Sequence, residues 1–181
     1  MKQLRSVEEI GENLRVILRL DLDLPMEDGS VADNSRLIKS INTIRILLAK
    51  NDRVVIVGHR GRPQPWRGEP SERDENLSLK PVYTELMSLL TANGEAMVES
   101  VFVEDIRNSQ VMEESLRANQ IIFGENLRFW REEEENKLEL FEVLIGKCQA
   151  YVNDAVAVSH RRHASIMLYK VMPTFYGLSF L

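Results

Sequence analysis

The chain is 181 residues long, 44% hydrophobic and 28% charged, which describes one soluble globular domain able to bury about 70% of its unfolded surface without a metal or disulfide staple. Its single cysteine, Cys148, excludes a disulfide framework and an all-cysteine zinc site and fits a reducing, cytoplasmic compartment. A net charge of -5 with no long Lys/Arg run excludes a general nucleic-acid binder, and no apolar run approaches the ~18 residues of a membrane span.

The start, MKQLRSVEEIGENLR, is rich in acids and lacks an apolar stretch, so no export signal is expected there. Arg15 to Leu20 reads as a strand. Leu37, Ile41, Ile44 and Leu48 then recur at helical spacing behind an Asp33/Asn34 cap, predicting a helix from about Asn34 to Ala49. Arg53 to Val57 is a second strand. Residues 63 to 76, PQPWRGEPSERDEN, are expected to form a long loop, either a lid or an inert insertion. Ser78 opens a helix with Pro81 in its first turn and Gly94 as its stop. Val101 to Val103, a helix from Ser109 to Ala118, and the strand Gln120 to Phe123 follow. A helix from about Glu132 to Lys147 begins with four glutamates that suit the positive end of its dipole, and Ala150 to Asn153 makes a fifth strand. Five strands alternating with four helices predict an α/β fold, a Rossmann-like three-layer α/β/α arrangement around a mostly parallel sheet.

In an open parallel sheet, ligands bind where the strands end, so the residues after each strand matter most. These are Asp21 and Asp23; His59 and Arg62; Glu125, Asn126 and Arg128; and Asn153, Asp154, His160 and Arg161. Arg36 joins them from a helix start, where a cation opposes the dipole by about 0.3–1 kcal/mol and calls for a negative group facing it. The pattern reads as a local anion site on an acidic protein. The plainer alternative is that the arginines pair with Asp21, Asp23, Glu125 and Asp154.

Other features are expected to be structural. His163 reads as a hydrogen-bonding residue, Glu132 to Glu135 as a solvated helix start, and Phe129 with Trp130 as core or rim packing. No glycine lies in G-x-x-x-x-G-K-[ST] or G-x-G-x-x-G, so no polyphosphate cradle is readable. His160 and His163 lack a completing Cys or His cluster, so no metal is expected.

The segments RVILRLDLDLP, DNSR around Arg36, GHRGRP, ENLRF and VNDAVAVSHRRHAS occur in the order and spacing of the amino-terminal domain of phosphoglycerate kinases, and the resemblance spans nearly the whole chain. It implies a two-domain glycolytic kinase, a transferase that moves a phosphoryl group between 1,3-bisphosphoglycerate and ADP. The amino-terminal domain would hold 3-phosphoglycerate, and a carboxyl-terminal domain Mg-ADP or Mg-ATP. By motif, the substrate-binding positions fall on Asp21, Asp23, Arg36, His59, Arg62, Arg128 and Arg161, with Arg36 also stabilising the transferring phosphoryl group as a catalytic residue.

The chain departs from the family in three respects. It ends at Leu181, where the family continues into its nucleotide domain, so residues 1–181 read as the substrate half of the enzyme, without turnover alone. Asp23 stands where the family usually has Asn; a carboxylate only accepts hydrogen bonds, and at 4–8 Å it repels one ligand charge by roughly 2–4 kcal/mol, about what one arginine attracts. Val156-Ala157 replaces a usual Phe-Gly, and Gly58 a usual Ser. The tail, with Leu168, Val171, Met172, Phe175, Tyr176, Leu178, Phe180 and Leu181, either folds back on the sheet or offers an apolar face to a nucleotide domain or a second copy.

Two other functions compete. A stand-alone non-catalytic protein could use the fold to sense a phosphometabolite or bind a partner. Asp21-Leu22-Asp23 after an apolar strand also resembles the D-x-D start of haloacid-dehalogenase-type phosphatases, although that family's later Lys and acidic pair find no counterpart.

Overall fold

The structure, a computed structural model, describes residues 5–63, 73–92, 98–155 and 163–180. Strand β1 (Arg15–Arg19) leads into a small antiparallel hairpin of β2 (Met26–Glu27) and β3 (Ser30–Val31), then helix α1 (Ser35–Ala49) and strand β4 (Arg53–Val57). Helix α2 (Lys80–Thr91), strand β5 (Ser100–Val103), helix α3 (Ser109–Ala118) and strand β6 (Ile121–Gly124) follow. Short helices α4 (Arg131–Glu134) and α5 (Glu142–Lys147) precede β7 (Ala150–Asn153), and α6 (Ala164–Met167) precedes β8 (Thr174–Tyr176). The main sheet has six strands in the order β5-β6-β4-β1-β7-β8, and every neighbouring pair runs parallel.

Because β1, β4, β6 and β7 are buried on both faces, they read as continuous apolar runs rather than alternating ones. One core holds Leu18, Val54 and Ile56 against Leu37, Ile41, Ile44 and Leu47 of α1 and Val82, Leu86 and Leu90 of α2. The other holds Ile17, Val55, Ile122 and Tyr151 against Met112 and Leu116 of α3, Leu144 of α5 and Ala164 of α6. Helices therefore cover both faces, which makes the three-layer α/β/α fold expected from the sequence. Cys148 lies in the second core, where burial pushes its thiol up to about 12, so it stays protonated and unreactive in the folded chain.

The chain leaves β1 for β4 on one side and returns to pair β7 on the other. Strand order reverses at β1, the place where a parallel sheet opens a crevice at its carboxyl edge. Arg19 is in register with both Val57 and Asn153, so the segments after β1, β4 and β7 leave the sheet side by side.

The structure corrects several expectations. A sixth strand, β8, comes from the apolar tail: it pairs with β7, Tyr176 N–H donates to the Arg5 carbonyl, and Leu178 N–H to Thr43 Oγ1 of α1. Phe175 and Met172 are thereby buried, while Tyr169 and Val171 remain exposed. The long helix expected over 132–147 is broken into α4, a 3-10 turn at Leu138–Phe141, and α5, because Asn136 takes a left-handed conformation (φ 59) that no helix continues through. The glutamate run is not wholly solvated either: Glu133 is fully buried. Asn34 occupies the cap of α1 without a side-chain cap bond, its amide going instead to Glu85 Oε1 at 2.6 Å, while Asp33 accepts the Ser35 N–H. Gly94, Val156-Ala157 and most of the 63–76 loop lie outside the described residues.

Candidate anion-binding site

The floor of the crevice is a buried polar network on the last residue of β1. Arg19 is fully buried, and its Nε donates to Ser165 Oγ of α6 at 2.9 Å. Its Nη2 lies 3.2 Å from His59 Nε2, just after β4. Ser165 in turn gives its hydroxyl to Glu133 Oε1 at 2.5 Å and its N–H to Oε2 at 2.9 Å. His163 Nδ1 stands 3.8 Å from the same carboxylate and meets the His59 ring edge-on, with centroids 5.5 Å apart. Burial pushes the Glu133 carboxyl upward, opposed by the Ser165 hydrogen bonds and the positive field of Arg19. Arg19 Nη1 is a buried donor with no partner among the described residues.

The wall is built from the loops after β4 and β6. Asn126, fully buried, accepts the Arg60 and Arg128 N–H groups on Oδ1 and donates Nδ2 to the Arg60 and Leu77 carbonyls. Glu125 accepts Ser78 Oγ at 2.7 Å and the Leu79 N–H at 2.8 Å, satisfying donors at the start of α2. These two residues, candidates from the sequence, are thus scaffold. Arg128 is buried, donates Nη1 to the Gly61 carbonyl and lies 3.7 Å from Glu134.

The lip is more open. Arg36 Nη1 donates to Asp21 Oδ1 at 3.2 Å and to the Asp23 carbonyl at 2.8 Å, with its side chain 48% exposed. Asp21 is therefore the negative group that its helix-start position called for. Asp23 Oδ1 accepts the Gly61 N–H at 2.8 Å. Arg62 is exposed beside it in the chain. Hydrogen bonds thus link the loops carrying Asp21, Asp23, Arg36, Arg62 and Arg128 into one rim, with His59 beneath it on Arg19; Arg161 and His160 lie outside the described residues.

The family model for phosphoglycerate kinase matches residues 7–180. The chain belongs to the phosphoglycerate kinase family. A phosphoglycerate kinase of Desulforapulum autotrophicum is 40% identical over 168 residues, covering 91% of this chain and 40% of that protein. One from Wolbachia of Brugia malayi is 36% identical over 90% of this chain and 38% of its own length. Among solved structures, the phosphoglycerate kinases of Pyrococcus horikoshii and Coxiella burnetii match 98% of this chain at TM-scores of 0.80 and 0.75, with 28% and 26% identity. This chain spans about 40% of the length of the curated relatives, which is their amino-terminal part.

Against that family pattern, sequence reasoning missed Arg19, Glu133 and Ser165. An arginine inside the apolar run RVILRL was a visible signal for the first, since a strand buried on both faces admits a cation only when it is paired. Glu133 and Ser165 gave none: their contacts join residues 32 and 146 apart in sequence. Glycine at position 58 has a steric reason, because a Cβ there would lie 2.7 Å from Leu22 Cδ1 and 2.8 Å from the Leu20 carbonyl.

His59, Glu133 and His163 offer ligand atoms within 4.8 Å of one another, a geometry to test for a metal. Both Glu133 oxygens already accept from Ser165, and Arg19 donates toward His59 Nε2. At about 4 Å from a guanidinium a cation loses roughly 4 kcal/mol per unit charge at an effective dielectric of ~20. The donor set therefore suits a hydrogen-bonded cluster rather than a metal.

Proposed function

We propose that this stretch is the part of a phosphoglycerate kinase that holds 3-phosphoglycerate and presents the acyl phosphate of 1,3-bisphosphoglycerate for transfer to ADP. The observation that carries the reading is the rim itself: Arg36 and Arg128 are tied through Asp23 and Gly61 at the carboxyl edge where strand order reverses, with the buried Arg19 beneath. Such an edge, lined by guanidiniums, suits a small, multiply charged acid.

In this reading Arg62 and Arg128 grip the far phosphate and the carboxylate, and His59, held by Arg19, lines the floor. Arg36, the exposed cation at the lip, gives up Asp21 to meet the phosphoryl group in flight. Charge spreads over the equatorial oxygens in that transition state, and a fixed guanidinium lowers the barrier without chemistry of its own. The acyl C–O–P bridge breaks at phosphorus as a β-phosphate oxygen of ADP bonds to it. The sequence carries neither G-x-x-x-x-G-K-[ST] nor G-x-G-x-x-G. In this reading the nucleotide is held by residues outside the stretch, and the stretch alone binds without turning over.

The presence of Asp23 within the rim also motivates a second reading, a non-catalytic phosphometabolite sensor. Mixing the chain with a separately supplied nucleotide domain, Mg-ADP and 1,3-bisphosphoglycerate separates the two. ATP formation above that of the nucleotide domain alone supports the kinase reading; its absence, with ligand binding intact, supports the sensor.

A further inference from the structure

One glycine residue lies between two of the rim's charged side chains. The N–H of Gly61 is held by Asp23 Oδ1 at 2.8 Å, across 38 residues of chain, and the carbonyl of Gly61 accepts from Arg128 Nη1. Gly61 sits at φ +61, and a Cβ on it would come within 2.6 Å of Leu77 Cδ2, so the backbone here admits little but glycine. On its other side, the Asp23 carbonyl accepts Arg36 Nη1 at 2.8 Å. Arg36, Asp23, Gly61 and Arg128 form one continuous run of contacts, and Arg62 follows Gly61 directly in the chain.

We propose that Asp23 is a positioning residue: it anchors the Gly61 N–H and so sets Arg62 and Arg128 at their places on the rim. The proposal rests on the rim being the phosphoglycerate site. A carboxylate accepts a backbone N–H in a charge-assisted bond, stronger than the one an Asn oxygen makes. The same charge repels an anionic ligand. Asp23 thus holds the loop more firmly than Asn and attracts the ligand less.

The two effects separate by mutation. Asp23→Asn keeps an acceptor for Gly61 and removes the charge; Asp23→Ala removes both. A residue acting by charge alone would make both variants tighter. A positioning residue makes the first tighter and the second weaker. Asp23 is exposed, so neither change threatens the core, and Asp23→Leu, similar in shape but without an acceptor, serves as a second test of the lost anchor.

The experiment is calorimetric titration of 3-phosphoglycerate into wild type and the three variants, paired with hydrogen exchange at the Gly61 amide by NMR. Solvent and salt screen the charge at this exposed position, so the expected result is roughly tenfold tighter binding for Asp23→Asn, and several-fold weaker binding for Asp23→Ala and Asp23→Leu. Gly61 should stay protected in wild type and Asp23→Asn and lose protection in the other two. Equal tightening in Asn and Ala variants, or equal Gly61 exchange in all four proteins, overturns the proposal. If none of the four binds 3-phosphoglycerate, the phosphoglycerate reading fails, while Gly61 exchange still decides the anchor.

Discussion

Arg19 Nη2 and His59 Nε2 lie 3.2 Å apart, with both side chains buried. A guanidinium only donates, so His59 Nε2 must accept, which leaves the imidazole neutral with its proton on Nδ1. The strand, the loop after β4 and α6 are joined at this one side chain, since Arg19 also holds Ser165.

Arg19 is accordingly expected to matter for folding as well as for binding. Arg19→Met fills the space but strands Ser165 and His59 and removes one of the two buried cations, with Arg128, whose field reaches Glu133, and should cost about 3 kcal/mol or more. Urea unfolding measures it. A loss under 1 kcal/mol would mean that the carboxylate finds its compensation elsewhere.

Gly58 gives a steric prediction. The substitution Gly58→Ser puts a Cβ against the Leu20 carbonyl, which cannot swing away as a side-chain tip can. The expected loss is about 1–3 kcal/mol. Thermal unfolding reads it, and pairing with Leu22→Ala should recover only the part due to the Leu22 contact.

Asp154 ties the end of β7 to the tail by accepting the Ser179 N–H at 2.8 Å. Burial raises its carboxyl above the ordinary 3.8, against the opposing pull of the Ser179 N–H bond. A carboxyl raised on folding favours the neutral form in the native state, so its ionisation costs stability at neutral pH. That stability returns as pH falls through the raised value and is complete below 3.8. Asp154→Asn fixes the neutral form. The stability difference between the two proteins, from urea midpoints at pH 7 and pH 4.5, should therefore shift toward wild type at the lower pH; a constant difference would contradict the burial effect.

Much of this was readable in the chain before any coordinates. The uninterrupted apolar stretches VIL within RVILR and VVIV within RVVIV show no polar–apolar alternation, and they are separated by 3.6-period segments such as 37–48, which is enough to specify a covered parallel sheet. The edge where ligands bind follows from that topology. What stayed hidden is tertiary in origin. Strand β8 is only three residues long, too short for a period to show, and it is held by Arg5 and Thr43 from distant segments. Glu133 sits in a run of identical residues, and nothing local says which one turns inward to Ser165. The Gly61 bond to Asp23 stayed hidden too, because it joins two loops that the sequence keeps apart.

Equilibrium titration of the chain with 3-phosphoglycerate at low salt tests the central claim most directly. An assembled guanidinium rim predicts saturable binding that weakens as salt rises, and that drops about tenfold or more in Arg36→Ala, whose exposed pair with Asp21 contributes under about 1 kcal/mol to folding. Absence of binding to the wild-type chain at millimolar ligand, with the fold intact, would contradict it.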